Sequence, residues 1–185
     1  MASNYRLTRN ERRELAQLEV SVARPLAAQA RTAHSYAEVH LRHAQDRAQT
    51  AVFTLEPSIP LRAAVIEATH ELQLHERWVR HTAECASMAQ DLMAELAEDY
   101  GAENTNPVEM PSFPDTEEEA LEVLAQLEVA LARVRDHDPQ GRAGTGTGPI
   151  AWDDVARTIT GLRSSLPRAY GELHGPGPGA ERAAS

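Results

Sequence analysis

Leu15, Leu18, Val22, Leu26, Ala30, Ala33, Ala37, Leu41, Ala44, Ala48, Ala51 and Leu55 return in steps of three or four residues. The steps average about 3.6, the period of a straight α-helix, and polar side chains fill the positions between. Ahead of the run, Thr8 and Glu11 have capping-box spacing: the hydroxyl can accept from the third amide while the carboxylate reaches back to the cap. The pattern predicts a helix over about 8–55. Pro25 lacks an amide hydrogen and crowds the preceding turn, so a kink or a break is expected near Val22–Arg24.

Two prolines in Glu56–Pro60 mark a turn. Beyond it Leu61, Val65, Ala68, Leu72, His75, Val79, Thr82, Ala86, Ala89, Met93, Leu96 and Tyr100 alternate in strict steps of four and three, with His75 and Thr82 the only polar members. This heptad seam predicts a helix over 61–100, stopped by Gly101. Three prolines between Gly101 and Asp115 make a loop that crosses the bundle end or packs along it. Thr116 and Glu119 repeat the capping-box spacing and open a helix over 116–137, ended by Pro139 and Gly141. A flexible Gly144–Gly148 linker and a shorter helix over 150–166, meeting Pro167, follow; residues 175–185 read as a disordered tail.

No strand alternation is present, so the expected fold is all-α. It is a long antiparallel helical hairpin with two shorter helices packed on it, four-helix-bundle-like, in one domain spanning 1–174. Helices of about 40 residues reach roughly 60 Å. The other two are about half that length, so part of the hairpin seam is left for a second chain to bury.

Composition sharpens this picture. Of 185 residues 31 are alanine and eight aromatic, so the core is built of small side chains and leucines. Every basic residue is arginine, and the net charge of −10 disfavours direct binding of duplex nucleic acid. The charge is concentrated: thirteen acids and no arginine lie between Arg80 and Arg133, while both flanks are slightly positive. Within that block Glu84, Asp91, Glu95, Glu98, Asp99, Glu117 and Glu118 are candidate partner-binding residues. Arg6, Arg9, Arg12 and Arg13 offer a basic complement, including to the acidic block of a second copy. No apolar run is long enough for a membrane span, and the N-terminus has no apolar core of a secretory signal. The one cysteine, Cys85, cannot form an internal disulfide and fits a reducing cytosol.

Catalytic patterns fail on spacing. His70-Glu71 followed by His75 puts the second imidazole one residue late for a zinc-protease helix, about 140° off the first. Glu67 and His70 form one Glu-x-x-His pair where a di-iron bundle needs two. His34 and Glu38 lack the companion histidines of a haemerythrin-like site. The glycine-rich 141–148 segment has no lysine and follows a helix, unlike a P-loop. Cys85 sits beside Glu84, which raises a thiol pKa, and no nucleophile elbow exists.

One juxtaposition survives. A hairpin pivoting near residue 58 sets His40 level with His75, with His43 close by but rotated outward. His40 and His75 are therefore candidate metal ligands. The leading expectation is a non-catalytic cytosolic interaction protein, self-associating, with an acidic docking segment and no cofactor. The alternative is a ligand- or metal-binding bundle that uses the level histidines.

Overall fold

The computed structural model describes residues 6–54, 59–139, 141 and 150–175, which hold helices and no strand. The chain is all-α. Its elements are α1 (Arg9–Leu18), a π-helical turn (Glu19–Ala23), α2 (Arg24–Phe53), α3 (Ile59–Tyr100), α4 (Glu117–His137) and α5 (Trp152–His174). Most of the expected 56–60 turn, the Gly144–Gly148 linker and all but the first residue of the tail lie outside the described residues.

The first capping box forms as its spacing requires. The Glu11 amide donates to Thr8 Oγ1 at 3.3 Å, and the Thr8 amide donates to Glu11 Oε2 at 2.7 Å. Pro25 does not break the helix. The π turn ahead of it is closed by a bond from the Arg24 amide to the Glu19 carbonyl, one residue longer than an α-turn. Widening the turn moves the Ser21 carbonyl away from a pyrrolidine ring that would otherwise collide with it. Proline then follows directly in the first turn of α2.

Helices α2 and α3 form the antiparallel hairpin. Ala30, Ala33, Ala37, Ala44, Ala48 and Ala51 on α2 are buried, as are Leu61, Val65, Ala68, Leu72, His75, Val79 and Thr82 on α3. Alanine on one face of the seam lets the two backbones come close. Helices α4 and α5 cover only the half nearest the connection, where Leu124, Leu127, Leu131, Ile159, Leu162 and Leu166 join the α2–α3 seam in one core. The other half is a two-helix stalk with its own small core of Leu7, Leu15 and Leu96, flanked by Leu18, Leu92, Met93 and Tyr100.

Polar contacts tie the base together. Arg133 of α4 donates to the Thr54 carbonyl at 2.6 Å and reaches the Ala51 and Val52 carbonyls, satisfying acceptors that the end of α2 leaves open. Arg62 and Asp138, both about nine-tenths buried, lie 3.6 Å apart between α3 and the end of α4.

Gly101 terminates α3 with a φ of 87°, a backbone conformation that glycine adopts without cost. The proline loop then runs back along the stalk. The buried Glu19 carboxylate in the π turn accepts the Asn106 amide at 2.7 Å and its side-chain nitrogen at 2.9 Å. Farther on, Phe113 stacks on His34 with ring centres 4.9 Å apart.

Three expectations need correction. Helix α5 does not stop at Leu166 but continues through Pro167 to His174. Leu166, Ala169 and Tyr170 are buried while Pro167 is exposed, so core packing outweighs one lost hydrogen bond. Thr116 does not close a second capping box; its hydroxyl bonds Tyr170, and Asp115 Oδ1 accepts the Glu117 amide at 3.1 Å instead. The hairpin pivots near residue 56, midway between Phe53 and Ile59, as the Ala37–His75 and His40–Glu71 contacts show. That slides the helices by about one turn from the register expected with a pivot at residue 58.

Candidate functional site

The register shift decides what each histidine meets. His75 is 1% exposed, and both ring nitrogens are engaged: Nδ1 is 2.8 Å from the Ala37 carbonyl and Nε2 is 2.8 Å from the Tyr170 hydroxyl. A carbonyl only accepts, so Nδ1 carries the proton and Nε2 accepts from Tyr170. The tyrosine hydroxyl lies 2.7 Å from Thr116 Oγ1, which must donate to it. The chain Thr116, Tyr170, His75, Ala37 therefore runs in one direction and links α2, α3, α5 and the N-cap of α4. Burial drives the His75 pKa down to about 4, against a smaller opposing effect of the bond to Ala37. Burial likewise raises the Tyr170 pKa to about 12. This is a neutral network with every member satisfied.

His40 does not share a ligand set with His75. Its Nδ1 is 2.7 Å from Glu71 Oε2, and His43 Nδ1 is 3.6 Å from the same oxygen. The two imidazoles stand perpendicular, with centres 6.4 Å apart. His40, His43 and Glu71 form the one group of three metal-capable side chains among the described residues, each offering an atom within 4.8 Å of the others. Glu71 was missed from the sequence. A pivot at residue 58 sets His40 level with residue 76, and only the observed pivot near 56 brings Glu71 to it.

The acidic candidates divide between two elements. Glu84, Asp91, Glu95 and Glu98 are exposed and fall within an arc of about 60° on α3, with Asp99 beside them. Glu117 and Glu118 are in the first turn of α4, the former half-buried. Cys85 is buried, its sulfur 3.8 Å from the His81 ring; burial first and Glu84 second push its thiol pKa up.

At the upper end of the acidic stripe lies a groove of about 810 Å³ between α3, the proline loop and the end of α5. Met88, Met110, Phe113 and Leu173 give it apolar walls, with Glu84 on one side and Glu172 on another. Met88 is 57% exposed. The sequence did not reveal this groove, because it exists only where α5 runs past Pro167 and the loop folds back.

No described helix is long and apolar enough to cross a membrane. No family model, no curated protein and no solved structure matches this chain. Fold and site together define a helical bundle with a protruding hairpin stalk.

Proposed function

We propose that the protein is a non-catalytic, cytosolic interaction protein that takes a basic, amphipathic segment of a protein partner into the methionine-lined groove. The observation that carries this reading is the meeting of Met88 and Met110 with Glu84 and Glu172 in one concave surface that continues into the acidic stripe of α3. Methionine side chains are unbranched and adapt to varied apolar partners. Carboxylates around such a surface favour arginine or lysine at its edges and speed encounter with a positive ligand. Self-association belongs to the same reading. The stalk is not covered by α4 and α5, and Val20 and Val22 on it are 55% and 40% exposed. Light scattering at micromolar protein concentration should report a dimer; a monomer removes that part.

The groove is tested with a fluorescent Leu/Arg amphipathic helix of about 18 residues, long enough to present five turns. Saturable binding is expected, weakened at least about tenfold by E84R/E172R and by added salt. Absence of binding, or equal binding to the variant, would remove the groove as the docking surface.

A further inference from the structure

We infer that His40, His43 and Glu71 form a binding site for a divalent first-row transition metal, with zinc as the ion that fits the donor set. This inference is independent of the groove. His40 and His43 are three residues apart on α2 and so share a face, while Glu71 comes across the hairpin from α3. Tetrahedral zinc at about 2.0 Å from each donor sets those donors about 3.3 Å apart. The spacings from Glu71 Oε2 to His40 Nδ1 and His43 Nδ1, 2.7 Å and 3.6 Å, bracket that edge. The third edge, between the two imidazoles, is no longer than 4.8 Å, a span that rotation about side-chain bonds would shorten.

The surroundings suit an ion held by three protein groups and completed by water. The His40 and Glu71 side chains are 20% and 23% exposed, so two donors are positioned by packing, while His43, at 57%, faces the entry side. The neighbouring Arg47 guanidinium is paired with Glu67 at 3.0 Å, which offsets its repulsion of a cation. Two imidazoles with one carboxylate favour zinc, nickel or copper over magnesium or calcium, which take mostly oxygen donors. Because the ligands come from both arms of the hairpin, bound metal would staple α2 to α3 and raise stability by mass action.

The test is calorimetric titration of the full chain with ZnCl₂, with CoCl₂ absorption as a second readout. One ion per chain is expected, together with visible cobalt bands of a four- or five-coordinate site. Loss of a ligand should weaken binding at least about a hundredfold, beyond the 10- to 100-fold typical of an outer-shell change. That loss is expected in H43A, whose exposed side chain is not needed for folding, and in E71A. H70A, which removes an exposed histidine of α3 outside the cluster, should bind as the parent does. Absence of zinc binding would overturn the inference and leave the cluster as a contact between helices. So would binding and cobalt bands that persist in H43A and E71A.

Discussion

His75 makes the acid response of this protein specific. Its folded pKa of about 4 lies below the 6.5 of the free side chain, so the unfolded state binds the extra proton between those values. Stability from this residue is complete above about pH 6.5 and is lost as pH falls toward 4. At 1.36 kcal/mol per unit of pKa, the full loss is about 3 kcal/mol. His34, also lowered chiefly by burial, adds a smaller loss of the same sign. Urea melts between pH 4 and 7 should show this slope, and H75Q should flatten it. Y170F should cost about 1–3 kcal/mol at pH 7, because it leaves a buried imidazole nitrogen without its donor. That His75 would be buried and hydrogen-bonded is legible in a seam where polar residues occur only twice. Its partners were hidden for a local reason: Tyr170 lies beyond a proline that normally ends a helix, and Thr116 occupies a position that normally caps one.

Pro25 and Pro167 show how an element accommodates a local fault. At Pro25 the backbone changes, through the π turn, and the resulting bulge carries the buried Glu19 that holds Asn106. At Pro167 the helix simply continues, held by Leu166, Ala169 and Tyr170. Its exposed ring is a net cost, so P167A should restore one backbone hydrogen bond and stabilise the fold by about 1–3 kcal/mol. Thermal melting would register this as a higher midpoint; an unchanged or lower one would show that the proline is not a net cost to the fold. Helix identities followed from apolar periodicity because each long element buries one regular face. Register and the end of α5 did not, since both depend on contacts between elements that periodicity does not encode.

The described residues form a four-helix base and a two-helix stalk with separate cores. Stalk helices bury fewer large side chains per turn, so they should open at a lower free energy than the base. Native-state hydrogen exchange should find amides of residues 9–30 and 86–100 exchanging well before those of 41–51 and 61–79. Uniform protection would show instead that the proline loop fuses the two parts into one cooperative unit. The division was partly visible in the chain, because two helices of about 20 residues cannot sheathe two of twice that length. The groove at the junction was not visible, because its walls come from three segments far apart in sequence.

The returning loop is a tether with length to spare. From Tyr100 back to the level of His75 is 25 residues of α3, about 37 Å at helical rise. Residues 101–116 can reach about 55 Å when fully extended. About a third of that span is slack, and removing five residues would draw the segment taut. Lengthening it adds only a small entropic cost. The segment between α3 and α4 therefore admits insertions far more readily than deletions, because the contact of Thr116 with the Tyr170 hydroxyl sets only a minimum length.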